Sequence, residues 1–415
     1  MVSLVTALSL AALSGCRSDP VPPCAGETWG AIDDPAHAIH VRPDGDDAGD
    51  GTERAPVRTL AAALGLARDG GPRTVALGAG VFPASLSLVT DAGDGRTDDG
   101  LRLQGCSADE TSIVPDPGAR AASTGGVPGS TVTVTAAQDV TLSDLTFDGG
   151  DRPLFVWGGA EVTVVRVRIV DATASGFVVD GPYTIVHATD VEVHRTTASG
   201  GSTVGAGGYG VEIDGATVDW TGGGVWASTA AGIVVTGDTG ALTLDGATVA
   251  DTLSAADGRF GRGVQVQQYA TAALTGCTLA ANVDAGLFSL LGQGVSLDGV
   301  TVDGTAGATG GTGTGGTGVG GDGIVVTGID ADGRQLDPAT FTVSLAGNTI
   351  GGVARAGIVV ERVTAALDGN VVTGTAPDAA RVAQEGAVVT GTDPVTVATT
   401  PLGLVRDALA PVGRR

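Results

Sequence analysis

Lysine is absent from this 415-residue chain, whose only full cations are 22 arginines set against 46 acidic residues, for a formal net charge of −24. A surface so poor in cations has no basic patch with which to neutralise phosphates, which excludes nucleic acid as a partner. Charged residues make up only 16% and hydrophobic residues 42%. A disordered acidic chain would lack the apolar surface to offset its ordering entropy, so this one folds. No apolar run approaches the roughly 20 residues needed to span a bilayer as a helix. Aromatic residues are scarce (4 Trp, 3 Tyr, 7 Phe), whereas glycine is abundant at 70. The glycines follow no strict G-X-Y period, which excludes collagen and calls for another use of the residue.

Residues 2–13 (VSLVTALSLAAL) form an apolar run of signal-peptide length. It ends in Leu13-Ser14-Gly15-Cys16, which resembles the lipobox of bacterial lipoproteins. That resemblance implies a signal peptide over 1–15 and a lipid anchor on Cys16. Arg17 after the cysteine favours the outer membrane or cell surface. No Lys or Arg precedes Cys16, a departure from the usual basic leader. Residues 16–38 are proline-rich and aperiodic and read as a tether. An oxidising compartment permits a disulfide, and Cys24 with Cys106 is the expected pair because both lie toward the N-terminal end. Cys277 sits at a repeat position otherwise held by Ala, Val, Leu or Asn, as expected of a buried, inert thiol.

A repeat organises the rest. Landmarks fall at Asp144, Arg166, Asp190, Gly215, Gly246, Gly276, Gly299, Gly347 and Gly369. The residue two before and the residue three after each landmark are apolar throughout, for example Leu142 and Phe147, Ile213 and Val218, Leu244 and Val249. Landmark intervals are never shorter than 22 residues, the mark of a solenoid whose coils share a core and whose loops vary. A second short β-branched run precedes many landmarks, as in Gly176-Phe177-Val178-Val179 and Gly232-Ile233-Val234-Val235. The reading is an all-β, single-stranded parallel β-helix of about ten coils over 101–400, with glycine at the sharp bends. Residues 56–68 place Val57, Leu60, Ala61, Leu64 and Ala67 on one helical face, suited to plugging an open core end. Residues 401–415 read as a C-terminal tail or cap.

The units Gly357-Ile358-Val359-Val360, Leu367-Asp368-Gly369-Asn370-Val371-Val372 and Ser344-Leu345-Ala346-Gly347-Asn348-Thr349-Ile350 resemble repeats of right-handed parallel β-helices of the pectin-lyase-like superfamily. Ile39-His40-Val41 with Pro56-Val57-Arg58-Thr59-Leu60 and Thr74-Val75-Ala76-Leu77 resembles that group's N-terminal cap module, here 39–100. The resemblance implies polysaccharide as a partner and, for its lyases, Ca²⁺ held by carboxylates beside a Lys or Arg base. Lys-dependent versions are excluded because the chain has no lysine. Candidates for an Arg-dependent version are Arg166, Arg168, Asp190, Glu192 and His194, near His187 and Arg195. The alignment offers a plainer account, in which opposite charges one coil apart form an ion-pair ladder. The hydrolase branch's Gly-His-Gly is absent, and the Asp-Asp pairs lie outside the repeat strands.

Candidate Ca²⁺ ligands are Asp44, Asp46, Asp47 and Asp50 in the densest acidic loop, with Asp214 and Asp245 before landmark glycines. The alternative for the last two is that Asp-Gly is simply a turn dipeptide. No other cofactor is indicated. Tyr209, Trp220 and Trp226, read as lying in excursions, are the candidate sugar-binding rings. The expected role is that of an envelope-anchored, non-catalytic carbohydrate-binding or surface-interaction rod. The rivals are a divergent lyase or hydrolase acting on acidic polysaccharide, and a structural spacer.

Overall fold

The computed structural model of the chain describes residues 29, 32, 34–91, 96–117, 129–198, 207–256, 258–305, 307, 321–330, 332–375 and 379–398. Among these residues, three sheets run the length of the molecule, with 13, 11 and 13 strands. A typical coil, 231–250, gives Ala231–Thr236 to the third sheet, Ala241–Asp245 to the first and Thr248–Ala250 to the second. Each strand pairs in parallel with its counterparts on neighbouring coils; the exception is the antiparallel pair Leu86–Asp91 with Arg96–Thr97. This is the right-handed parallel β-helix expected from the repeat, with the handedness that parallel crossovers take.

The first sheet has 13 rungs, of which 11 lie within 101–400, close to the ten or so coils expected there. Its strands Ala38–Val41, Thr74–Leu77, Arg102–Gln104 and Val388–Gly391 lie outside the landmark series. Residues 39–100 thus already supply strands to all three sheets. The helix is Leu60–Arg68, shorter than 56–68. Val57 bridges to Val41 instead, and Thr59 caps the helix by accepting from the Ala62 amide at 3.2 Å. Leu60, Ala63, Leu64 and Ala67 are buried in the same core cluster as the coils, against the first strands.

The apolar residues flanking the landmarks all join that core, although Val372 is only partly buried. One coil, however, is out of phase with the sequence alignment. Ala188 pairs with Trp220 and Trp220 with Leu244, so the landmark of that coil is Gly222, not Gly215. Its inward residues are therefore Trp220 and Val225, and Ile213 belongs to the third sheet. With this correction the nine landmark residues share one left-handed backbone, φ between 51° and 69°. Glycine takes it without strain at six of them.

A second use of glycine was not anticipated. Gly176, Gly210, Gly232, Gly286 and Gly323 on the third sheet, with Gly357 just before it, are turned toward the second-sheet core column, and Gly263 is turned toward Asn282. A Cβ at Gly210 would stand 2.2 Å from Val225 Cγ1 and 2.7 Å from the Gly232 carbonyl. These residues are glycine because the two sheets meet there too closely for a side chain. Late in the rod the corner after the landmark carries an asparagine ladder: Asn348 Nδ2 donates to Asn370 Oδ1 at 2.8 Å.

Candidate functional site

The ion-pair candidates fall on successive rungs of the second sheet, facing outward. Arg168 pairs in register with Glu192, and Glu192 with Gly224; in the neighbouring row Val170, His194 and Trp226 follow one another. Arg168 Nε donates to Glu192 Oε2 at 3.0 Å and its Nη1 to Asp109 Oδ1 at 2.7 Å. His194 Nε2 lies 3.4 Å from the same Glu192 oxygen. The indole of Trp226 stacks on the His194 ring, centres 4.7 Å apart and planes 9° from parallel. Gly224 must be glycine, since a Cβ there would sit 2.0 Å from the Thr248 carbonyl oxygen and 2.9 Å from the indole Cη2.

Alongside runs a second ladder at the landmark position. Arg166 forms a bidentate pair with Asp144, at 2.6 and 2.8 Å. Asp190 on the next coil adds its field to the same guanidinium. All three residues hold the left-handed backbone usually reserved for glycine, and for Asp144 and Arg166 the pair offsets that strain. Arg195 repeats the bidentate motif with Asp171, at 2.7 and 2.9 Å.

The same contacts set the charge state of Glu192. The bond from His194, together with that from Arg168, overcomes burial and holds the Glu192 carboxyl down at about 2. A carboxylate so acidic neither donates a proton near neutral pH nor accepts one readily. Arg168 and His194 are both engaged with it. The candidate residues Arg168, Glu192 and His194 are thus brought together, and Arg166 and Asp144 pair beside them.

The aromatic residues were placed less well. Tyr209 and Trp220 are at most 1% exposed, so neither ring can face a sugar. Trp220 fills the inward row of the first sheet, its Nε1 donating to the Gly222 carbonyl at 2.8 Å, and Tyr209 lies on the third sheet in a cluster with Phe260 and Val234. Trp226 is half-buried with one face against His194. The open rings are instead Tyr183 at 88% and Tyr269 at 41% exposure, each two residues before a first-sheet strand.

The acidic candidates serve as local backbone partners. Asp47 accepts from the Arg58 and Thr59 amides at 2.9 and 2.8 Å and from the Thr59 hydroxyl at 3.0 Å, fastening the helix start. Burial pushes Asp47 up, but these bonds outweigh it and hold it below the ordinary carboxylate value. Asp46 and Asp50 accept from amides two residues on, and Asp44 pairs with Arg42. Asp214 and Asp245, expected in one row, end strands of different sheets. Burial and the neighbouring Asp180 push Asp214 up. Among the described residues no three His, Cys, Asp or Glu side chains gather as a metal site. Cys106 is disulfide-bonded; Cys24, its expected partner, and Cys16 lie outside the described residues. Cys277 is a free, buried thiol, raised by that burial.

One feature escaped the sequence reading. The outward row Thr243, Ala273, Ser296 and Ser344 crosses four successive rungs of the first sheet and lines a shallow trough of about 370 Å³. The available signal was the alternation in ALTLD, TAALT, GVSLD and TVSLA, where every second residue is apolar and inward.

No protein-family model matches the chain, and no curated protein does. Among solved structures, the chain is similar to pectate lyase Pel9A, with a TM-score of 0.53 and 12% identity over 78% of this chain and 77% of that one. It is also similar to the A-modules of the Azotobacter vinelandii mannuronan C-5 epimerases AlgE6 and AlgE4. The first has a TM-score of 0.52 and 15% identity over 82% of this chain and 94% of that one. The second has a TM-score of 0.52 and 16% identity over 89% of this chain and all of that one. At such identities the likeness concerns the fold.

Proposed function

We propose that this protein is a lipid-anchored rod of the bacterial envelope that binds polysaccharide without turning it over. The observation that carries the non-catalytic part is the state of Glu192, tied at once to Arg168 and His194 and held at about 2. In that state the Glu192 carboxyl holds no proton to give near neutral pH. The polysaccharide part rests on a fold shared with proteins named for acting on pectate and mannuronan and on a long, regular outer surface suited to an extended polymer. The anchor rests on the Leu13–Cys16 sequence.

The test incubates residues 16–415 carrying Cys16→Ser, which keep Cys24 for the expected pair with Cys106, with a panel of neutral and acidic polysaccharides. Retention is read by affinity electrophoresis, and turnover by new reducing ends or unsaturated products. Retention without products is expected. Product formation that survives in Glu192→Gln and His194→Ala would move the activity to another part of the surface. Product formation lost in both would show that the cluster is catalytic after all. A rod that retains nothing would be a spacer.

A further inference from the structure

We infer that residues 399–415 dock back on the rod as a second layer over the outer face of the third sheet. The inference is independent of the polysaccharide reading and assigns an interface within the chain. It starts from a strip of side chains that point out of the rod and are nonetheless buried. Val325 stands between Ile324 and Val326, both in the rod core, so it faces outward. Phe288, Val325, Val359 and Val382 follow one another in register over four rungs, and none is more than 4% exposed. Beside them run Leu290, Thr327, Glu361 and Gln384, buried to the same degree.

A sheet face cannot bury itself; it needs a second layer. Toward the N-terminal end of the same face that layer is visible, where Phe260 and Ala255, from the excursion before Arg262–Gln267, lie on Tyr209, Ala231 and Val234. The cluster around Phe288 differs. Ala285, Phe288, Leu290, Val325 and Val359 all belong to third-sheet strands, and Ala356 and Leu291 adjoin them. The Arg262 guanidinium stacks on Phe288, 3.7 Å from the ring centre. Among the described residues, no apolar side chain from another layer joins this cluster.

Position, length and composition select the missing layer. The described residues end at Ala398, just past Thr396–Val397, which pairs with Val382 and Ala383 at the end of this same sheet. Strand Ala285–Leu290 lies four rungs away, about 19 Å at the strand spacing. Residues 399–415 span about 25 Å even when helical, enough to cross those rungs. Leu402, Val405, Ala408 and Leu409 recur at the spacing of one helical face, ahead of Pro411. Arg406, Arg414 and Arg415 against Asp407 make the segment cationic on a chain of net charge −24, and the strip it would cover holds buried Glu361. The excursion 308–320, which precedes Asp322–Thr327, is glycine and threonine apart from Ala308 and Val319, so it cannot furnish an apolar layer.

The test uses residues 16–415 carrying Cys16→Ser, with Val359→Cys or Val382→Cys on the sheet and Leu402→Cys, Val405→Cys or Leu409→Cys in the segment. After mild oxidation, peptide mass spectrometry is expected to find a disulfide between the sheet and at least one segment position within a single chain. Asp407→Cys, off the apolar face, should form none. In a full-length chain without added cysteines, Val405→Asp with Leu409→Asp should lower the melting temperature by roughly 4 °C or more and increase binding of an apolar fluorescent dye. Absence of a sheet–segment disulfide in every combination overturns the inference. A disulfide that forms only between chains, in a dimer by light scattering, gives the face to a second copy and overturns it too. Should the cysteine variants fail to fold, the paired aspartates decide, and unchanged melting overturns the docking.

Discussion

Ala188 and Trp220 face each other on adjacent rungs of the inward row of the first sheet, and the small residue makes room for the indole. Trp220 also touches Phe177, ring centres 6.5 Å apart. Trp220→Ala should therefore cost about 3–5 kcal/mol, since the stacked coils cannot close a hole of that size. Ala188→Leu, which overfills the same space, should cost about 1–3 kcal/mol. Denaturant melts of both, beside Tyr183→Ala as an exposed control within about 0.5 kcal/mol of wild type, check the assignment. Equal midpoints for Trp220→Ala and Tyr183→Ala would mean that the indole is not a core group.

The glycines of the rod should separate into two classes on substitution. Gly246 has open space where a Cβ would lie but holds φ at 63°, so Gly246→Ala should cost only about 1–2 kcal/mol of backbone strain. Gly210 has no such space, the nearest atoms being Val225 Cγ1 at 2.2 Å and the Ser228 hydroxyl at 2.6 Å. Gly210→Ala should prevent coil stacking there and lower the yield of folded protein, read by circular dichroism and limited proteolysis. A mild Gly210→Ala would show that the sheets can part at that corner.

Glu192 links the ladder to pH. Its folded value of about 2 lies below the ordinary value of 4.5. The unfolded chain therefore takes up the proton first as pH falls. The stabilisation from this carboxylate is fully present above about pH 4.5, declines below it and is gone once pH passes the folded value. Glu192→Gln should flatten the acid limb of the stability curve between those two values and leave its slope near neutrality unchanged. Because the group is half-exposed, the effect is modest. Identical acid limbs for variant and wild type would remove Glu192 from the account.

The anchor has its own test. Cys16→Ser, made in a chain whose residues 1–15 are replaced by a cleavable secretion signal, should release the protein from the membrane fraction, because in this reading the acyl chains on Cys16 are the anchor. A variant that still sediments with membranes would defeat the lipoprotein reading.

Much of the fold was legible because a solenoid writes its geometry into the chain as a period. Leu244, Val249 and their counterparts must be apolar on every coil, since each coil buries its inward face only against the next. The charge ladder was legible for the same reason: residues one period apart, such as Arg168 and Glu192, become neighbours. Which rings lie exposed was not legible, because exposure depends on the phase of a strand and a single misplaced coil inverts it.

That misplacement has a local cause. The pentapeptide Asp-Gly-Ala-Thr-Val occurs at 214–218 and again at 245–249. In both copies the glycine is left-handed, φ 64° and 63°, and the alanine and valine are buried. Backbone conformation and burial thus follow from the five residues alone, through turn chemistry and apolar alternation. Yet the first copy turns from the third sheet into the first, and the second from the first sheet into the second. Which corner each copy occupies is settled by pairing with the coils on either side, where Trp220 matches Ala188 and Leu244. That is a relation between segments distant in sequence, and no local pattern encodes it.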